Sequence, residues 1–253
     1  MCFLKSIIFI VMKSSLFLIL SALLFVACGN DSSTSANNSN DDDISSKSSS
    51  SQMSVSSSSD KAADVIETSM TDSRDGQKYR TVKIGDQVWM AENLNYETAD
   101  SYCYAHSASY CTKYGRLYTW AVAISACPSG WHLPTKTEWN TLFTAIGGQS
   151  VAGTKLKSTS GWHGVHEINN GTYEFYEIGN GTDEFSFSAL PAGYRDAYGD
   201  HLALGDKAYF WSSTERDYDD FCAFRVLLSY LDGNVDLHDE FKKSGYSVRC
   251  LKD

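Results

Sequence analysis

The sequence predicts an α+β domain in which two adjacent helices precede a series of short antiparallel strands. Three observations lead there. A capping box, Thr135-Lys136-Thr137-Glu138, opens a run with Trp139, Leu142, Phe143 and Ile146 at helical spacing, and Gly147-Gly148 closes it. Downstream, Phe185–Leu190, Ala208–Ser212, Phe221–Leu228 and Val235–Leu237 read as strands, with Asp232-Gly233 as a hairpin turn between the last two. Residues 74–253 are rich in aromatics and long enough to bury one sizeable core.

Residues 1–27 read as a signal peptide. The apolar run 16–26 is too short for the about 20 residues of a membrane helix, and Met12-Lys13-Ser14-Ser15 supplies a charged start, with Met12 the expected translation start. The run ends at Ala27-Cys28-Gly29, which resembles a bacterial lipoprotein cleavage site. Cys28 is then the lipidated first residue and the membrane partner is reached through it. The expected location is the cell envelope, at the outer membrane or cell surface.

Residues 28–73 read as a disordered tether. Residues 31–60 hold fifteen Ser, and such a composition buries too little apolar surface to offset its chain entropy. Removing Lys5 and Lys13 with the signal leaves 19 basic against 31 acidic residues, or −12. That balance argues against nucleic acid as a partner and against adhesion to anionic headgroups.

Within the domain, Tyr79–Ile84 and Gln87–Met90 read as a hairpin around Gly85-Asp86, a II′ turn signal. Cys103 and Cys111 flank a short loop and are expected to pair locally. Gly115–Ala126 reads as the first helix, with Leu117, Trp120, Ala121 and Ile124 inward and Cys127 on the same face. Tyr246–Leu251 reads as the last strand, with Val248 and Cys250 on one face and Ser247 and Arg249 on the other. Two inward cysteines, Cys127 and Cys250, make a good pair. Cys222 is left over and is expected as a buried free thiol. Residues 167–176 recur as 177–186 with seven of ten positions identical, which reads as a duplicated surface loop or hairpin.

Six segments in order resemble one family: Trp89–Tyr96, Tyr114–Trp120, Cys127–Thr135, Phe187–Arg195, Phe210–Glu215 and Ser247–Asp253. The family is the Fibrobacter succinogenes major paralogous domain, found in secreted proteins and lipoproteins. The resemblance implies a C-type lectin-like fold, with a disulfide from the first helix to the last strand, which supports Cys127–Cys250. It implies no catalytic activity. The calcium motifs of lectins are absent, and fold similarity alone carries no function over.

No P-loop, GxGxxG or HExxH is present, and His106, His132, His163, His166, His201 and His238 are scattered without a nucleophile at catalytic spacing. His132 reads as a core residue capped by a hydrogen bond, and His163-x-x-His166 is a weak metal signal. No catalytic residue, metal or cofactor is assigned, and the chain is expected not to be an enzyme. The expected function is a surface-displayed binding or adhesion module for a polysaccharide or protein. In lectin-like folds the ligand surface precedes the last strand. Here that region offers Tyr218, Tyr230, Asp232, Asn234, Asp236 and His238, with Val235 and Leu237 turned inward. The alternative is a structural envelope protein without a small ligand, and after it an enzyme of the formylglycine-generating-like fold that the resemblance also brings in.

Overall fold

The computed structural model describes residues 66–169, 172–176, 179–217 and 220–253, so the signal, Cys28 and most of the tether lie outside the described residues. In chain order the elements are β1 (Ile66–Thr71), β2 (Lys78–Ile84), β3 (Gln87–Met90), β4 (Ser101–Tyr102), a 3-10 turn at Tyr104–His106, α1 (Ala108–Tyr114), β5 (Leu117–Thr119) and α2 (Trp120–Ala123). They continue with β6 (Trp131–His132), α3 (Lys136–Ala145), α4 (Gln149–Leu156), β7 (Val165–Asn169), β8 (Thr172–Tyr176), β9 (Ala192–Arg195), β10 (His201–Leu204) and β11 (Lys207–Glu215). The last are β12 (Cys222–Ser229), β13 (Val235–Phe241), β14 (Gly245–Tyr246) and β15 (Leu251–Lys252). The domain is α+β, as the sequence predicts.

Two main sheets form, one ordered β1-β2-β3-β15-β6 and the other β13-β12-β11-β9-β14-β5-β4 with β10 on β9. β11 and β12 are buried on both faces. Phe210, Val226 and Leu228 enter a core shared with Trp89, Trp139, Phe143 and Phe187, while Tyr209, Trp211 and Ala223 enter a second core with Tyr118, Tyr246 and Val248. The period of two therefore sorts neighbouring side chains into two different cores.

Local chemistry explains the elements that were legible. The side chain of Thr135 accepts from the Glu138 backbone and the Glu138 carboxylate accepts from Thr135, so both halves of the capping box form. Ile84 faces Gln87 across the β2–β3 turn, where Gly85 takes φ 59°. The disulfides Cys103–Cys111 and Cys127–Cys250 both form.

Several expectations are corrected. β1 falls inside the stretch assigned to the tether: Thr68 pairs with Thr81, and buried Asp72 closes the following turn by accepting from Arg74. Gly115–Ala126 is not one helix but β5 followed by the single turn α2. Ala121 and Ile124 are exposed there, and Trp120, Ala123 and Ala126 are buried instead. Cys127 consequently follows a turn and not a helix. Part of the stapled loop is helical, as α1, and α4 follows α3 where strands were expected. Phe185–Leu190 buries Phe185, Phe187 and Ala189 in alternation, yet Ser186 (φ 53°) and Ser188 (φ 51°) are left-handed and prevent a strand.

The Asp232-Gly233 signal does not make a two-residue turn. Leu228 pairs with Val235, and the loop is longer because Gly233 lies against the Thr154 side chain of α4. The repeat does not give two like structures either. The first copy contributes to the β7–β8 hairpin, whereas Gly181 and Thr182 of the second donate to Ser158 and Thr154. Cys222 is buried as expected, but its thiol is not free. Alternation placed its side chain inward but carries no information on whether its sulfur is bonded.

The last segment is broken into β14 and β15, and both of its faces are buried. Arg249 is the reason. Its Nε donates to Asn93 Oδ1 (2.6 Å), Nη1 to the Met90 (3.2 Å) and Phe187 (2.5 Å) carbonyls, and Nη2 to the Ser188 carbonyl (2.9 Å). It also lies over the rings of Phe187 and Phe210. One fully buried guanidinium thus joins the start of the Asn93 motif, the left-handed Ser186–Ser188 segment and the chain end. Burial, and next the Arg80 charge, push its pKa down to about 9 against the weaker pull of Glu92 and Asp183.

Candidate functional site

The surface expected before the last strand is only partly assembled. Tyr218 lies outside the described residues. Asp236 and His238 share one face of β13, opposite Leu227 and Arg225, and Asn234 is also exposed. Asp236 is tied to Arg225 at 2.7 Å, and His238 approaches Asp239 at 3.2 Å. Val235 and Leu237 turn to the core as expected. Tyr230 does so too: its ring packs against that core, leaving less of it for stacking. Asp232 presents its side chain to solvent, while its carbonyl and that of Ser229 accept from buried Lys157 (3.0 and 2.9 Å). Burial lowers the Lys157 pKa, and its ammonium fixes this loop from below.

A different surface gathers more exposed recognition chemistry. The hairpin β9–β10 turns through Asp196-Ala197-Tyr198-Gly199-Asp200, and Asp196 Oδ1 accepts from the backbone of Tyr198 (2.9 Å), Gly199 (2.8 Å) and Asp200 (2.9 Å). Three bonds to one oxygen make the tip stiff. It holds Tyr198 83% exposed, with Leu202 at 42% nearby on β10. An aromatic this exposed contributes little to folding.

The base of the hairpin is lined by the disulfide loop. Arg195 lies over the Tyr102 ring at 4.2 Å, and the His201 ring meets Tyr104 at 5.2 Å and His106 at 5.0 Å. Tyr104 in turn packs on Tyr110. Close approach is possible because Gly193 has no Cβ: one there would fall 2.9 Å from the Tyr104 ring. Ala105 and His106 are both left-handed, a conformation held within the span closed by Cys103–Cys111. Burial, and next the His106 charge, lower the His201 pKa, so this imidazole is neutral at pH 7. Its Nε2 is buried without a protein partner among the described residues.

Sequence reading missed this platform because its two halves are far apart in the chain. The one local signal was Asp196-Ala197-Tyr198-Gly199-Asp200, in which an Asx-type turn sets a Tyr at its tip.

The remaining histidines with described side chains sit in separate ion pairs. His132 is not a core residue. It is partly exposed and lies between Asp253 (2.6 Å from Nδ1) and Glu138 (3.0 Å from Nε2). Desolvation works against its charge, but the two carboxylates outweigh it and raise the pKa. His163 bonds to Asp206 at 2.9 Å, and the side chain of His166 lies outside the described residues. Among the described residues, no three His, Cys, Asp or Glu side chains are grouped to hold a metal.

The motifs that carry the resemblance are placed by folding chemistry. A Cβ at Gly115 would fall 2.7 Å from Asn93, so Gly115 lets Arg116 donate to the Leu94 carbonyl and Asn93 donate to that of Tyr114. The chain matches no curated protein and no solved structure. The model of the Fibrobacter succinogenes major domain matches residues 82–252, which is most of the folded part, and the protein belongs to that family.

Proposed function

We propose that the protein is a lipoprotein held in the cell envelope through lipid on Cys28, and that its domain is a lectin-like recognition module for a surface polysaccharide. The observation that carries this is Tyr198, held out by a stiffened turn above Arg195, His201, Tyr104 and Tyr102. Aromatic faces stack on sugar rings, and imidazole, guanidinium and phenol groups bond to hydroxyls. The pairing of Cys127 with the end of the chain supports the lectin-like reading of the fold, and the Ser-rich tether suits display away from a membrane.

Two experiments test it. Metabolic labelling with a fatty acid marks the wild-type chain and not Cys28→Ser; labelling that persists overturns the anchor. On an array of polysaccharides and outer-surface proteins, the full chain binds a glycan, and Tyr198→Ala weakens that binding about tenfold, the equivalent of about 1.4 kcal/mol. Binding to proteins alone would favour the structural envelope role instead.

A further inference from the structure

A second feature is independent of the hairpin platform. Arg249 is fully buried, yet it lies behind a cleft of about 250 Å³ lined by the Asn93 motif itself. A guanidinium carries five N–H groups, and four are taken by Asn93, Met90, Phe187 and Ser188. One Nη2 hydrogen has no acceptor among the described residues. All four acceptors are neutral, so the positive charge is buried without a counter-ion, an arrangement that costs several kcal/mol per ion in general.

The mouth of the cleft adds more positive charge. Lys78, Arg80 and Lys113 line it, against the single acid Glu92. Glu92 is engaged by Arg80, accepting from its backbone at 2.7 Å and lying 3.7 Å from its Nε. The ion pairs among the described residues leave Lys78 and Lys113 without a carboxylate. A cationic hollow is therefore built into a chain whose net charge is −10. The remaining lining is rich in amides and hydroxyls, including Gln77, Asn95 and Thr112. Asn95 Oδ1 is buried there and has no donor among the described residues.

We propose that this cleft is a binding site for a small sugar acid. The carboxylate pairs with Lys78 and Lys113 at the mouth and is drawn inward by the buried Arg249 charge, and the ring hydroxyls bond to the amides and hydroxyls of the wall, such as Gln77 and Thr112. A phosphate dianion has a single hydroxyl to offer, against the several amide and hydroxyl groups of the wall. The volume suits one monosaccharide unit and not a chain.

The test is calorimetric titration of the full chain with galacturonate, galactose and inorganic phosphate. Saturable binding of galacturonate is expected, at least tenfold tighter than either of the others and weakened by salt. Lys78→Glu with Lys113→Glu, both exposed and clear of the core, lowers that affinity at least tenfold while the melting curve is unchanged. No binding, equal binding of galactose or phosphate, or an unaffected double variant would overturn the proposal. Tyr198→Ala leaves galacturonate binding intact; loss in that variant would place the acid on the hairpin platform and overturn the cleft as its site.

Discussion

Replacing Arg249 by Met keeps a long stem between Phe187 and Phe210 and removes the charge and its fork. Four charge-assisted hydrogen bonds are lost, at about 1.5–3 kcal/mol each, or about 6–12 kcal/mol in gross terms. Removing a buried charge with no carboxylate partner returns several kcal/mol of desolvation. The acceptors left behind remain buried, so the net loss is expected at about 3–5 kcal/mol. Urea unfolding followed by Trp fluorescence reads it: with a slope near about 2 kcal/mol/M, the midpoint falls by about 2 M with the slope unchanged. Arg249→Lys keeps the charge but not the planar fork that reaches three segments at once, and should fall between Met and wild type. A loss below about 1 kcal/mol in Arg249→Met would refute the reasoning. It would mean that desolvation cancels the bonds and that the network does not hold the fold together.

The two disulfides should differ in weight. Cys127–Cys250 closes a separation of 123 residues and Cys103–Cys111 one of 8, so removing them as Ala pairs should cost up to about 4.9 and about 2.5 kcal/mol in the chain-entropy account; equal losses in thermal unfolding would contradict that ordering. The His132 cluster should be pH-dependent in two directions. The raised His132 pKa contributes stability that is complete below its unfolded value near about 6.5 and is lost as pH rises through the folded value. For Glu138, burial raises the pKa, but the Thr135 backbone and hydroxyl and His132 outweigh it; its lowered pKa contributes stability present above about 4.3 and lost as pH falls through the folded value. NMR titration should show the His132 imidazole titrating lower in Asp253→Asn than in wild type, and an unmoved titration would remove Asp253 as a cause.

What the sequence made legible depended on how local the signal was. α3 carries its own start, its stripe and its stop, and forms as read. The β2–β3 turn needs only Gly85. Cys127–Cys250 forms although both flanking elements differ from the reading, because both cysteines lie beside apolar residues of one core, Cys250 buried and Cys127 half-buried against it. Leu117, Trp120, Ala121 and Ile124 satisfied a helical spacing by coincidence. β5 is held between β4 and Gly245-Tyr246, the latter over a hundred residues away, and this pairing overrides it. α4 has few apolar anchors, with Ala152, Gly153 and Leu156 buried, so little periodicity announces it. Arg249 was read as one member of an alternating strand face. Nothing within six residues of it reveals that three carbonyls and an amide from elsewhere converge there. The platform was hidden for the same reason: Tyr104 and His201 become neighbours only when the β9–β10 hairpin and the disulfide loop meet.

The β13 surface and the hairpin platform make different claims about where a ligand sits, and one measurement separates them. Hydroxyl-radical footprinting of the full chain, with and without a polysaccharide it binds, reports the exposure of each reactive side chain, aromatic and aliphatic. Recognition by the hairpin predicts protection of Tyr198, Leu202 and Tyr102, with Tyr230 and His238 unchanged. Protection of Tyr230 and His238 with Tyr198 still reactive would contradict it and return the site to β13.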